Sequence, residues 1–210
     1  MVPLAAVATT RQETLANTRQ AILIAARDIV SEGGWPCAQM ALIAARAGVA
    51  TGTVYRYFTS KSALFSDVLA AVSEHELKIL HSIIDGPGSA SERLQGAVQA
   101  FVRRGLKSRR LAYALIAEPC ETGIDVVRIK YRAAIESEIM RVLKEGVASG
   151  EFVDQDPRIL ASCITGAFTE AIAGPIAPAP KGDSLERMAV SIAELCTRMV
   201  VAGQRPKARK

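Results

Sequence analysis

Apolar side chains recur at intervals of three and four residues in segment after segment of this chain. No stretch of its 210 residues sustains the two-residue alternation of a half-buried strand. Ile22, Ala25, Ala26, Ile29 and Val30 mark a first helix over about 15–32, stopped by Gly33 and Gly34. A short pattern over 39–47 ends at Gly48, and a second short helix spans 51–57. Ser60 is placed to cap a longer helix carrying Leu64, Phe65, Val68, Leu69 and Val72 on one face and continuing past His75 to Ile84. The run Asp85-Gly86-Pro87-Gly88-Ser89 breaks it.

Helical spacing resumes at Leu94, Ala97, Val98, Phe101 and Val102, then over 111–118 up to Pro119, and over 124–149. Asp156-Pro157 opens another helix with Leu160, Cys163, Ile164, Ala167, Phe168, Ala171 and Ile172. The proline-rich run 174–180 reads as a stiff connector to a last helix carrying Leu185, Met188, Ala189, Ile192, Leu195, Cys196 and Met199. The expected fold is all-α, with about nine helices. It divides into an arm at 1–14, a small helix-turn-helix domain at 15–73, a larger helical domain at 74–203 and a basic tail at 204–210.

Composition narrows the function. Half the residues are apolar and 22% are charged, which suits a packed globular chain. No apolar run is long enough to span a membrane, and the first residues lack a signal-peptide pattern, so a cytoplasmic protein is expected. The net charge of +5 is weak evidence for a nucleic-acid partner, because Arg205, Lys207, Arg209 and Lys210 at the end of the chain supply four of those charges. The cysteines at 37, 120, 163 and 196 form no C-x-x-C pair and read as reduced thiols, with Cys163 and Cys196 expected to be buried. With only two histidines and no organised carboxylates, neither a metal site, a cofactor nor a catalytic constellation is indicated, and an enzyme is not expected.

The informative stretch is Ile43-Ala44-Ala45-Arg46-Ala47-Gly48-Val49-Ala50-Thr51-Gly52-Thr53-Val54-Tyr55-Arg56-Tyr57-Phe58. Two short helices crossing at a steep angle need a small residue where their backbones approach, a turn residue at ease in the left-handed region, and apolar groups to fill the wedge. Ala44, Gly48, and the set Ile43, Ala47, Val49 and Val54 meet those needs together. The other face of the second helix then offers Thr51, Thr53, Tyr55, Arg56 and Tyr57.

On these residues, with Arg19-Gln20-Ala21-Ile22, Gly34-Trp35 and Lys61-Ser62-Ala63-Leu64, the chain resembles the TetR family of transcriptional regulators over about 15–70. It departs from the common family pattern in having Ala38-Gln39 before the first motif helix, Ala50 before the second and Ser62 where Glu is frequent. A hydroxyl cap on the recognition helix is therefore not expected.

The resemblance implies a homodimer that sets two recognition helices on a palindromic double-stranded DNA operator and is released by a small-molecule effector. Regulation without an effector, or activation, is the alternative. It further implies Thr51, Thr53 and Arg56 as base readers, Tyr55, Tyr57 and Lys61 as phosphate contacts, and Gly52 as a point of close approach. Phe58 is expected in the core. The helices near 157–174 and 184–202 are expected to form a four-helix dimer interface, with Gly166, Ala167, Ala189 and Ala193 allowing close approach. Candidate effector-binding residues are Phe101, Tyr113, Glu118, Tyr131 and Phe168, which pair apolar bulk with a polar tip or lie in mid-helix. The run from Arg103 to Arg110 reads as a solvated helix end.

Overall fold

The periodicity resolves into nine α-helices among the described residues, which are 11–120, 123–174 and 181–201 of a computed structural model. They are α1 (Arg11–Gly33), α2 (Met40–Ala47), α3 (Thr51–Tyr57), α4 (Lys61–Ile84), α5 (Ala90–Lys107), α6 (Arg109–Ile116), α7 (Ile124–Ser149), α8 (Pro157–Ala173) and α9 (Asp183–Arg198). A 3-10 turn, Trp35–Cys37, joins α1 to α2. The basic tail, the proline-rich connector over 175–180 and the arm over 1–10 lie outside the described residues.

Helix α1 begins four residues earlier than the apolar pattern predicts. Glu13 and Thr14 in its first turn are polar and solvent-exposed, so nothing apolar marks that turn in the sequence. The ends of the other helices follow local chemistry. The Ser60 hydroxyl accepts from Ala63 N–H at 3.0 Å and starts α4. Ser89 and Glu92 form a reciprocal capping box at the start of α5. Asp156 caps α8, with Pro157 in its first turn.

Two apolar cores result, and α4 belongs to both. Its Leu64, Phe65, Val68 and Leu69 close the N-terminal core on Ile22, Ile29, Trp35, Ile43, Val54 and Phe58. Its Leu80 and Ile84 enter the second core with Leu94, Val98, Ile139, Leu143, Ile164 and Phe168. The N-terminal core does not stop at the expected boundary after residue 73. Ala114 of α6 and Ile124 and Tyr131 of α7 complete it. The two domains therefore share buried surface, which resists independent rotation.

Helix α8 carries two apolar stripes. Ala161, Ile164, Phe168 and Ile172 face the subunit's own core, whereas Ile159 and Cys163 are exposed. Cys163 is thus not buried as expected: it lies on the outer stripe, and periodicity alone does not tell which side of a wide stripe meets the core. Cys196 is buried, and burial pushes its thiol pKa up to about 11. Ala189 and Ala193 are fully covered within the subunit, in the core shared with Ala97 and Val98 of α5, so their small size serves intrasubunit packing.

Candidate functional site

Gly48 turns the chain between α2 and α3. Its backbone is left-handed, φ 68° and ψ 30°, and Val49 N–H donates to Ala44 O at 3.0 Å while Gly48 N–H donates to Ala45 O at 3.2 Å. These two bonds cap the last carbonyls of α2 and aim the chain into α3. A β-carbon on Gly48 would meet nothing within 4 Å among the described residues, so the glycine is required there by backbone conformation.

Helix α3 is pinned by one side chain and displays the rest. Val54 is fully buried; Thr51, Gly52, Tyr55 and Arg56 are exposed, and Thr53 and Tyr57 are half-buried. Tyr55 keeps 50% of its surface in solvent. Phe58 is buried, as expected, under the guanidinium of Arg19 at 5.1 Å. Lys61 opens α4 beside this face, its ammonium 5.2 Å from the Phe65 ring centroid. All seven residues assigned to nucleic-acid contact thus lie on α3 or at the first position of α4. Neither Gln39 nor Ala50 makes a side-chain cap, in line with the expected loss of the hydroxyl caps.

Behind this domain a cavity of about 600 Å³ opens between α4, α5, α6, α7 and α8. Most of its wall is apolar, with Val72, Phe101, Leu111, Leu115, Ile135 and Ile172 prominent. Of the five expected ligand residues, Phe101 and Tyr131 line it. Phe168 lies one layer behind, fully buried and 5.0 Å from the Phe101 ring centroid. Tyr113 points to solvent on the opposite side of α6 and is 38% exposed. Glu118 is buried elsewhere, in the seam between the domains. Sequence spacing placed these three on helices but could not choose a face against partners still unknown.

The seam is polar at its centre. Trp35 N–H donates to Glu118 Oε2 at 3.0 Å, and the Trp35 indole N–H donates to Ala114 O at 2.7 Å. Arg110 donates to Gly33 O at 3.0 Å and pairs with Glu118. Arg128, from the cavity wall, donates to the carbonyls of Ala114 and Leu115 at 2.8 and 3.0 Å. The basic run 103–110 is only in part a solvated helix end: Arg104 and Lys107 stand in the last turn of α5 and Lys107 is exposed, but the arginines are paired. Arg103 pairs with Glu186, Arg104 with Glu76 at 2.7 Å, and Arg109 donates to Gly174 O. Each arginine ties α5 or α6 to a different element, which a count of like charges along the sequence cannot reveal.

Tyr131 also bridges elements: its hydroxyl donates to Glu74 of α4 at 2.8 Å. Burial, then this carboxylate, pushes its pKa up to about 12. Among the described residues no group of three or more His, Cys, Asp or Glu is placed to hold a metal ion, and no helix is long and apolar enough to cross a membrane.

A protruding second helix after a glycine turn, on a small domain tied to a hollow helical one, matches two family models. Residues 22–68 match the bacterial regulatory proteins of the tetR family, and 87–173 match the tetracyclin repressor-like C-terminal domain. The chain belongs to the TetR family. It is similar over 139 residues, at 41% identity, to the HTH-type transcriptional repressor KstR of Mycobacterium tuberculosis, covering 64% of this chain and 62% of that one. It is 38% identical over 84 residues to the regulator BetI of Klebsiella pneumoniae, 38% of this chain and 42% of BetI. It is 25% identical over 155 residues to the fatty acid metabolism regulator protein of Bacillus subtilis, 72% of this chain and 79% of that one. The chain thus spans less than two thirds of KstR and BetI. Among solved structures, FadR from Bacillus subtilis in complex with stearoyl-CoA superposes with a TM-score of 0.75 at 23% identity, over 85% of this chain and 97% of FadR. A TetR/AcrR regulator from Thermobifida fusca superposes with a TM-score of 0.68 at 25% identity, over 90% of this chain and 98% of that one.

Proposed function

We propose that this TetR-family regulator is a homodimeric repressor that leaves a palindromic operator when a small molecule fills the cavity of its larger domain. One observation carries the reading: Trp35 of the DNA-binding domain is hydrogen-bonded to the helix, α6, that forms a wall of the cavity. A ligand that fits one position of α6 better than another shifts the domain orientation that binds DNA. A cavity of this volume favours effector control over regulation without an effector.

In this reading Thr51, Thr53 and Arg56 read base edges, Tyr55, Tyr57 and Lys61 hold phosphates, and Gly52 lets the backbone approach the groove. The dimer forms through the outer stripe of α8 and α9. Ile159 and Leu195 are 64% and 57% exposed in the single subunit, and Met199 lines one shallow groove with Leu195. Two such subunits space their recognition helices about one helical turn of DNA apart, about 34 Å, or somewhat more. A soluble cytoplasmic location accords with this role.

The test is a mobility-shift titration of the full chain on DNA from its own promoter region. Arg56→Ala should weaken specific binding by about 1–3 kcal/mol while leaving weak binding to random duplex in place. Equal operator affinity for wild type and variant would remove Arg56 as a base reader. Failure of any compound to release the wild-type complex would remove the effector.

A further inference from the structure

The cavity wall is not uniformly satisfied. Thr165 lines it from α8, is fully buried, and its hydroxyl has no hydrogen-bond partner among the described residues. A helical threonine ordinarily bonds back to a carbonyl of the preceding turn, as Thr169 does here with Thr165 O at 2.7 Å. Thr165 does not, so its O–H is a buried donor awaiting an acceptor.

Charge bookkeeping around the same wall points the same way. Four cations line the cavity, Arg104, Lys107, Arg128 and Arg132, against two carboxylates, Glu76 and Asp125. Arg104 donates three hydrogen bonds to Glu76 through its Nε and Nη2, and Lys107 stands solvent-exposed in the last turn of α5. Arg128 is occupied by Asp125 and by the carbonyls at the end of α6. Arg132 is different. Its Nε reaches Glu136 at 3.2 Å, and its terminal amino groups have no partner among the described residues. Its Nη2 lies 3.6 Å from where a β-carbon on Gly166, the residue after Thr165, would stand. A buried hydroxyl on Thr165 and a half-exposed guanidinium beside the next residue, Gly166, therefore mark one stretch of α8. Most of the remaining wall is apolar, and Ile129 and Val126 stay exposed on α7, Ile129 within the wall itself.

We infer that the effector is an apolar monocarboxylate whose two carboxylate oxygens are shared between the Thr165 hydroxyl and the Arg132 guanidinium, with its hydrocarbon body in the cavity. A carboxylate accepts only and has two oxygens, one for a hydroxyl and one for a guanidinium. The inference rests on the cavity being the effector site. A thioester of the same acid keeps the acyl oxygen but carries its negative charge on distant phosphates.

The experiment is isothermal titration calorimetry of the full-length protein with decanoate, decanol and decanoyl-CoA, repeated on Arg132→Ala and Thr165→Val, with operator release read in parallel. Decanoate should bind wild type at least about tenfold more tightly than decanol, a margin set by the charged hydrogen bonds. Arg132→Ala should abolish that preference without changing decanol binding. Thr165→Val should weaken decanoate and leave the melting temperature of the ligand-free protein undiminished, because valine removes an unpaired buried hydroxyl at constant shape. Tightest binding by decanoyl-CoA with the Arg132 effect absent would move the ligand class to the thioester and overturn the carboxylate assignment. Equal binding of acid and alcohol would also overturn it, while release of DNA by either would keep the effector reading. A lower melting temperature for Thr165→Val would overturn the premise that its hydroxyl is unpaired. No binding and no DNA release with any of the three, at millimolar concentration, would reject both readings.

Discussion

Trp35 and Glu118, 83 residues apart in sequence, meet through a 3.0 Å hydrogen bond from the tryptophan's backbone N–H to the glutamate's carboxylate. The same carboxylate pairs with Arg110, and both partners are largely removed from water, Glu118 more so than Arg110. Glu118→Gln leaves Arg110 without its counter-charge and should lower stability by about 1–3 kcal/mol in urea unfolding. It should also blunt effector release more than it weakens operator binding, because it loosens the joint between the cavity wall and the DNA-binding domain. Unchanged release with unchanged stability would remove the joint from the mechanism.

Substitution at Gly52 should separate DNA affinity from folding. A β-carbon there would meet nothing within 4 Å among the described residues, and the residue lies inside a helix. Gly52→Ala should therefore leave thermal stability equal or raise it, by up to about 1 kcal/mol, since alanine is the better helix former. Operator affinity should fall, because the added methyl occupies the surface offered to the groove. A variant that binds DNA as wild type does would place Gly52 outside the interface.

Gly48 should behave in the opposite way. Its left-handed backbone makes Gly48→Ala costly by about 1 kcal/mol with no steric clash to add. Gly48→Asn should be milder, as asparagine tolerates that conformation. Thermal melts of the three proteins order these effects, and a melting temperature unchanged in Gly48→Ala would contradict the turn geometry.

Leu195→Glu tests the outer stripe. Leu195 is exposed in the single subunit, and a carboxylate costs nothing there unless another apolar surface covers it. Sedimentation should show a monomer in place of a dimer, and Cys163, exposed on the adjoining face, should become more reactive to a thiol reagent. A dimer that survives the substitution would locate the interface elsewhere.

Acid should weaken the fold through carboxylates that hold N–H groups. Hydrogen bonds from Ala90 and Ser91 N–H keep the Glu151 carboxyl below its usual pKa, and the Arg158 guanidinium, then its N–H, hold Asp156 down to about 2. A depressed folded pKa contributes stability above the unfolded value, about 4, and loses it as pH falls toward the folded value. Melting temperatures should therefore drop between about pH 4 and 2, and Glu151→Gln should show a smaller acid-dependent loss from a lower starting point. Parallel pH profiles for variant and wild type would remove Glu151 from this dependence.

The sequence by itself determined the helices and the turn. Periodicity, Ser60 and Asp156 as caps, the breaks at 85–89, and Gly48 are local features, and local chemistry acts within a few residues. The exposed face of α3 was legible for the same reason: one buried anchor, Val54, orients a seven-residue helix, and the remaining side chains follow. Only the tertiary structure decided which stripe of α8 faces inward, that Glu118 joins Trp35 instead of lining the cavity, and that the arginines from 103 to 110 are ties between helices. Those assignments depend on which surfaces meet across 28 to 83 residues of chain. The lone hydroxyl of Thr165 belongs with them, since a donor is unpaired only with respect to neighbours that folding brings or fails to bring.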